Sequence, residues 1–151
     1  MKTANLIIAA ILLMATVAFS TPADAQTGDE LITAVMYQDL DEVKRLAETG
    51  VDLNYKDSNY GSTALIVACQ YSMVEIGKYL IEQGADLNLT SNSGHTPLMA
   101  ACTRSEELVD LLLEKGADVN TKAGDGNTPL SLATKKDDQD MVALLKELGA
   151  K

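Results

Sequence analysis

The stretch GHTPLMAACTRSEELVDLLLEKGADVN, residues 94–120, decides the fold because the chain repeats it. A related stretch, GSTALIVACQYSMVEIGKYLIEQGADLN, lies directly upstream at 61–88, and GNTPLSLATKK opens a further copy. Gly61, Gly94 and Gly126 begin these copies at spacings of 33 and 32 residues. Self-similarity at a period of this size indicates a protein built by stacking one structural unit.

Each copy carries the signals of two short antiparallel helices. In the third copy, Thr96 is placed to cap the first helix, and Pro97 stands at its first position, where a missing N–H costs nothing. A second helix follows with its leucines at core spacing, and Gly116 ends it in the left-handed conformation that glycine favours. The sequence therefore predicts an all-α solenoid of four helix-turn-helix repeats. The repeats cover about 29–60, 61–93, 94–125 and 126–151.

In order and in register, the motifs GxTPL, a helix with paired alanines, (I/L)VxLLL and GADVN resemble those of the ankyrin-repeat family. The resemblance covers essentially all of residues 26–151. It implies a solenoid with projecting β-turn fingers, and a non-catalytic role in protein binding through the fingers and the concave face of the first helices. The finger in NYKDSNYG, residues 54–61, is one residue longer than its successors, so we expect it to project further.

The chain departs from the family's pattern at several positions. The family usually has a histidine after TPL, and this chain has Ile66, Met99 and Ser131 there. Gly77 stands inside a helix where the third repeat has Val109, at a cost of about 1 kcal/mol relative to alanine. These departures predict a correct but locally softened stack.

The chain begins with the pattern of a secretory signal peptide. Lys2 precedes an apolar run at 6–19, and Ala-Asp-Ala at 23–25 forms a cleavage site of small residues. The run is shorter than the roughly 20 residues that span a bilayer. We therefore expect a signal peptide at 1–25 and an ankyrin-repeat domain at 26–151 that is periplasmic or secreted, with no membrane insertion after cleavage.

The charge balance restricts the classes of partner. With 12 basic and 22 acidic residues the net charge is −10, which disfavours binding to nucleic acids and to anionic lipid surfaces. A basic protein partner is favoured for the same reason. Charged residues on the outer faces of the first and last repeats oppose further stacking, so we expect a monomer when the protein is free.

Little in the sequence points to catalysis. His95 is the only histidine, and it stands at an exposed finger position with no partner implied. The run DDQD at 137–140 lacks the alternation and the glycine of a calcium loop and is interpreted as a solvated turn. The sequence therefore predicts no enzyme, no cofactor and no metal site.

Cys69 and Cys102 occupy the same place in successive repeats, 33 residues apart. Packed helices lie about 8–10 Å apart, beyond the roughly 7 Å between Cα atoms that a disulfide can bridge. We expect two buried free thiols, with a disulfide as the lesser alternative. Asn88 begins a glycosylation sequon, Asn-Leu-Thr, but fills the asparagine position of the repeat, which favours a structural role.

Projecting the repeat register onto the concave face and the fingers gives the candidate partner-binding residues. They are Met36, Tyr37, Tyr55, Asn59, Tyr60, Ser62, Gln70, Tyr71, Asn92, Ser93, His95, Thr103, Arg104, Asp125, Asn127, Lys135 and Lys136. Tyrosine and arginine are frequent energetic anchors of interfaces, so the column Tyr37, Tyr71, Arg104 is the predicted hot spot. The alternative is that these are ordinary surface residues.

Exported bacterial ankyrin proteins of this kind include, as the resemblance implies, inhibitors and self-protection proteins that occlude secreted cell-wall hydrolases or toxins. We therefore expect one protein partner, such as a basic exported enzyme. Two alternatives are a support protein for an envelope stress-defence enzyme such as a catalase, and a secreted effector that binds host proteins.

Overall fold

A computed structural model describes residues 28–151, and the predicted signal peptide at 1–25 lies outside the described residues. The described chain forms eight α-helices in four antiparallel pairs, which confirms the predicted all-α solenoid. The helices are α1 (Gly28–Met36), α2 (Leu40–Glu48), α3 (Ala64–Gln70), α4 (Val74–Glu82), α5 (Pro97–Cys102), α6 (Glu106–Glu114), α7 (Pro129–Lys135) and α8 (Gln139–Glu147). None of these helices is long and apolar enough to cross a membrane.

The first helix of repeats two, three and four begins at a threonine cap. Thr63, Thr96 and Thr128 each accept a hydrogen bond through Oγ1 from the backbone N–H three residues later, at 3.3, 3.2 and 3.2 Å. A cap of this kind stabilises a helix by about 1 kcal/mol. Ala64 stands where the later repeats have proline, and α3 still starts in register because its cap is intact.

The helices form two layers around one core. The first helices, α1, α3, α5 and α7, pack side by side, and α2, α4 and α6 pack behind them in the same order. Each second helix has a leucine that is 0% exposed at the equivalent position, namely Leu46, Leu80, Leu112 and Leu145. All four belong to a single hydrophobic cluster that runs through the repeats. Burying such a side chain gains about 1.5–3 kcal/mol, and neighbouring repeats supply much of the cover.

Asparagine side chains join each repeat to the next at the end of the second helices. Asn54 Oδ1 accepts a hydrogen bond from the backbone N–H of Asp86 at 2.8 Å, and Asn88 Oδ1 accepts one from Asp118 at 2.8 Å. Asn120 Oδ1 continues the ladder with the N–H of Lys151 at 3.0 Å. The recurring asparagine of the GADLN motif is therefore a connector between repeats, and Asn88 has the structural role expected for it.

Tyr79 lies at the back of the stack and not inside the core. In the other repeats its position is occupied by Arg45, Leu111 and Leu144, none of which is fully buried, and its own ring is half-buried. The Lys44 ammonium lies 5.9 Å from the ring centroid. A tyrosine can cover apolar surface while its hydroxyl stays in water, which explains why it is accommodated at this edge.

From the cap of the first helix to the cap of the second, the third repeat (Thr96 to Ser105) is one residue shorter than the second (Thr63 to Met73) and the fourth (Thr128 to Asp138). In the other three repeats one non-glycine residue in the turn between the two helices has a positive φ, namely Gln38 (58°), Ser72 (56°) and Asp137 (59°). In the third repeat Arg104 is followed at once by the cap Ser105, and no such residue is present. Because a left-handed residue other than glycine costs about 1 kcal/mol, the loss of one residue between the caps spares the third repeat this strain.

Gly77 is a contact point between α4 and α6. A Cβ atom at this position would lie 2.7 Å from Leu108 Cδ2, and Leu108 is fully buried and cannot swing into solvent. We expect Gly77→Ala to lower the free energy of unfolding by about 1 kcal/mol, because overpacking outweighs the gain in helix propensity. Denaturant unfolding with Leu108→Val and the double variant should show favourable coupling between the two positions. A stabilised single variant would contradict this packing.

Cys69 and Cys102 are free and buried, as predicted. Burial raises the pKa of each thiol to about 12. At pH 8 we expect a disulfide exchange reagent to modify neither thiol in the folded protein and both after unfolding, because the thiolate is the reactive form. Modification of the folded protein as fast as that of a free thiol would show that the first helices open readily.

Candidate protein-binding surface

The three fingers are short hairpin turns that touch each other in sequence. Their closing backbone hydrogen bonds run from Asp57 to Ser62, from Ser91 to His95 and from Ala123 to Asn127, at 3.0, 3.0 and 2.8 Å. The first closure spans one residue more than the others, as its sequence indicated. The N–H of Asn92 donates to Tyr60 O at 2.8 Å, and the N–H of Gly124 donates to Ser93 O at 2.9 Å. The fingers therefore form one connected edge.

A carboxylate organises the first finger. Asp57 Oδ1 accepts hydrogen bonds from the backbone N–H groups of Asn59 and Tyr60 at 2.8 and 2.7 Å, and Oδ2 accepts one from Ser62 at 2.7 Å. Burial alone would raise the pKa of Asp57, but the three N–H donors outweigh it, so the pKa is lowered. Gly61 has φ 62° and its Cα faces the Asn92 side chain without room for a Cβ. The finger thus holds the Tyr60 ring in water, 74% exposed.

The second finger contains a network that sequence reasoning missed. His95 Nδ1 lies 3.0 Å from Ser93 Oγ, and Ser93 Oγ lies 2.9 Å from Ser91 Oγ. Ser91 Oγ also accepts the His95 N–H at 3.3 Å. The sequence implied no partner for His95, and the turn supplies one in Ser93. All three residues belong to one turn and Ser93 is exposed at its tip, so we assign the network to holding the turn.

The third finger is tied to the end of α7. Lys135 Nζ donates to Asn127 Oδ1 at 2.5 Å, and Asn127 Nδ2 donates to Asp125 Oδ2 at 2.5 Å. The pKa of Asp125 is lowered, first by the backbone N–H of Asn127. The structure thus connects three predicted binding residues, Asp125 and Asn127 of the finger and Lys135 of the helix.

A row of exposed side chains lies at the other end of the first helices. Met36 and Tyr37 end the first helix of repeat one and are 61% and 81% exposed, and Tyr71 follows α3 with 60% exposed. Arg104 follows α5 and is exposed, and its carbonyl accepts a hydrogen bond from Ser72 Oγ at 3.1 Å. This bond places the second and third members of the predicted Tyr37, Tyr71, Arg104 column beside each other.

A sequence model of the family described as Ankyrin repeats (3 copies) matches residues 13–91, 31–123 and 88–151. The chain belongs to the ankyrin-repeat family. The first match starts inside the predicted signal peptide. Ankyrin repeats act as protein–protein interaction modules and are generally non-catalytic.

Three relatives illustrate how the ankyrin repeats of this chain are shared. Ankyrin repeat and SAM domain-containing protein 6 of Rattus norvegicus is 41% identical over 66 residues, 44% of this chain and 8% of that protein. The 2-5A-dependent ribonuclease of Homo sapiens is 42% identical over 71 residues, 47% of this chain and 10% of that protein. Protein phosphatase 1 regulatory subunit 27 of Homo sapiens is 36% identical over 78 residues, 52% of this chain and 50% of that protein. The chain thus spans half or less of each of these relatives.

Most of the predicted binding residues of the ankyrin stack are exposed. They are Met36, Tyr37, Asn59, Tyr60, Gln70, Tyr71, Asn92, Ser93, Thr103, Arg104, Asp125, Lys135 and Lys136. His95 and Asn127 are half-buried by the finger networks.

Ser62 and Tyr55 differ from expectation. Ser62 is only 8% exposed, because its backbone closes the first finger onto Asp57, so its inclusion among the contact residues was wrong. Tyr55 is half-buried, since its ring covers the start of α1, where it leaves no room for a Cβ on Gly28. A hydrogen bond with Asp29 raises the pKa of the Tyr55 hydroxyl. This tyrosine therefore attaches the first finger to α1.

The structure also contains a cleft that the sequence did not reveal. It lies at the outer side of repeat one, between α1 and α2, and has a volume of about 540 Å³. It is lined by Asp29, Glu30, Thr33, Ala34, Tyr37, Asp39, Glu42 and Arg45. Within it Arg45 makes a two-pronged ion pair with Glu42 at 2.6 and 2.7 Å. The charged residues of repeat one can be read from the sequence, but the cleft between them results from how α1 and α2 pack.

Over residues 28–151, no group of three or more histidine, cysteine, aspartate or glutamate side chains is arranged to hold a metal ion. The acidic run at 137–140 is instead used locally. Asp138 Oδ1 accepts the N–H of Met141 at 3.1 Å and caps α8, and Asp137 Oδ1 accepts from Gln139 Nε2 at 2.8 Å.

Asp57→Asn should destabilise the protein by about 1–2 kcal/mol near neutral pH, because an amide nitrogen cannot accept the N–H of Ser62. The folded pKa of Asp57 is depressed, so its contribution is complete above the unfolded pKa, about 3.9, and is lost as the pH falls through the folded pKa. Urea unfolding of both proteins should give a difference that is constant above about pH 5 and shrinks below pH 4. Asp110→Asn, on the exposed face of α6, is the control and should change little. A difference that grows as the pH falls would contradict this role.

Proposed function

We propose that this protein is an exported binding protein that docks one protein partner on its inner face, defined as the three fingers together with the exposed row at the ends of the first helices. We propose further that docking occludes the active site of an exported enzyme, such as a cell-wall hydrolase or a toxin. One observation carries the proposal. Of the five large apolar side chains exposed in the described chain, four lie on this face, namely Met36, Tyr37, Tyr60 and Tyr71.

These four side chains are concentrated in repeats one and two, which points to where a partner makes its closest contact. Large apolar groups clustered on a folded surface commonly mark interaction sites. Tyrosine loses little conformational entropy when it is immobilised and keeps a polar tip for hydrogen bonding. The Asp57 carboxylate already fixes the first finger, so presenting Tyr60 costs little additional ordering.

The inner face is large enough for a specific interface. Packed helices lie about 8–10 Å apart, so four first helices extend over roughly 25–30 Å. A stable interface buries about 800 Å² on each partner, which a face of this length can supply together with the fingers. The proposal that the partner is an exported enzyme rests on the signal-peptide pattern at residues 1–25.

Capture from the envelope and secreted fractions of the source, with the purified protein lacking residues 1–25, tests this function. We expect one enzyme to be retained, and Tyr37→Ala combined with Tyr71→Ala to weaken its binding at least about 30-fold, the equivalent of about 2 kcal/mol. Because both rings are exposed, the helical signal should stay unchanged. Leu148→Ala is the matched control, since Leu148 is also a large exposed apolar residue, 48% exposed, and lies outside the inner face.

An activity assay on the captured enzyme separates the proposed mode of action from its alternatives. Loss of activity on binding supports occlusion. Retained or prolonged activity would make the protein a support factor instead. Binding that survives the double tyrosine change would contradict the inner-face assignment.

A further inference from the structure

The row at the ends of the first helices carries a charge opposite in sign to the charge of the whole chain. Eight equivalent positions form the row at the ends of the first helices: Met36 and Tyr37, Gln70 and Tyr71, Thr103 and Arg104, Lys135 and Lys136. Three of these are cations and none is a carboxylate, in a chain with 12 basic and 22 acidic residues. All three cations lie in repeats three and four, beside the aromatic end of the row.

Arg104 is the least neutralised of the three cations. Its backbone is held on both sides, by its N–H donating to Ala101 O at 2.8 Å and by its carbonyl accepting from Ser72 Oγ at 3.1 Å. Its guanidinium is exposed, and it forms no ion pair with any residue from 28 to 151. A fixed backbone with an unpaired guanidinium is suited to binding a carboxylate in a two-pronged geometry.

The two lysines are only partly compensated by nearby carboxylates. Lys135 Nζ is bonded to the neutral amide oxygen of Asn127 at 2.5 Å. Lys136 Nζ lies 3.5 Å from Asp138 Oδ2, and Asp138 also caps α8. The remaining carboxylates around them, Asp125 and Asp137, are exposed and hydrogen-bonded within their own turns. The row therefore keeps a positive end.

The geometry points to a partner whose footprint places an apolar hollow over Tyr37 and Tyr71 and a cluster of carboxylates over Arg104, Lys135 and Lys136. This inference rests on the proposed function and adds the chemistry and the orientation of the partner. A partner that is basic throughout its footprint is disfavoured, because like charges across an interface cost several kcal/mol. A basic enzyme with acidic residues around its active-site cleft is complementary both to the negative net charge of this chain and to the cations of the row.

The partner is first identified by cross-linking, with a photoreactive phenylalanine in place of Tyr71 of the ankyrin protein. The test then uses that partner protein. Its dissociation constant is measured for the wild type, for Arg104→Glu with Lys136→Glu, and for Tyr60→Ala with Tyr71→Ala. The control combines Lys115→Glu, directly after α6, with Lys146→Glu on α8, since it changes the net charge equally. We expect the inner reversal to weaken binding at least about tenfold, with a smaller effect at high salt, and the control to change it less than about threefold.

The outcomes separate this inference from the proposed function. If the tyrosine variant loses binding while the inner reversal binds as well or better, the carboxylate footprint is wrong and the proposed function stands. If neither variant loses binding, or no protein is cross-linked, both fail. Tighter binding of the wild type to phosphatidylglycerol vesicles or duplex RNA than to the protein overturns the inference in favour of another polyanion. Arg104→Gln with Lys136→Gln removes the two charges without reversing them and should weaken binding to an intermediate extent. An unchanged helical signal of this variant shows that the loss of affinity is not caused by misfolding.

Discussion

A single helix pair of this solenoid cannot bury its own leucines, so each repeat has to pack against a neighbouring repeat. The other features of the described structure depend on this stacking. Leu80 and Leu112 in the middle repeats are 0% exposed, and Leu46 and Leu145 in the terminal repeats reach the same burial with one neighbouring repeat each. The asparagine ladder that follows the second helices and the hydrogen bonds between neighbouring fingers add directional contacts from each repeat to the next. Stacking therefore fixes the register of repeats, and the register decides which side chains stand in a row on the surface.

This arrangement separates the residues that hold the fold from those available for binding. Thr63, with its cap, and Gly61, with its tight approach to Asn92, serve the stack and tolerate little change. Among the residues that end the first helices, Tyr37, Tyr71 and Arg104 have no such duty, since their side chains are exposed to water. Tyr71 and Arg104 can thus occupy equivalent places in neighbouring repeats with different chemistry and the same backbone support.

The repeat period, the helix pairs, the threonine caps and the free thiols were all predictable from the sequence, because each depends on local pattern or on the spacing of repeats. The misassignments concern the fingers and their attachments. Ser62 is buried because a hairpin folds its backbone onto Asp57, five residues away. Tyr55 is half-buried because it meets Gly28 from an earlier helix. Neither contact leaves a periodic signal, although an aspartate followed by small polar residues and glycine does indicate a carboxylate-centred turn.

The net charge of such a protein affects the rate at which a partner encounters it, and the local charge of its surface affects how the partner is oriented in the complex. At long range a partner meets the average of 22 acidic and 12 basic residues, which favours a basic protein and raises the rate of encounter. At contact distance the screening length of about 8–10 Å isolates one patch from the next, so the cations at the row's end act separately from the acidic residues around the cleft of repeat one. A surface with exposed tyrosines in repeats one and two and cations in repeats three and four leaves a partner one favourable orientation.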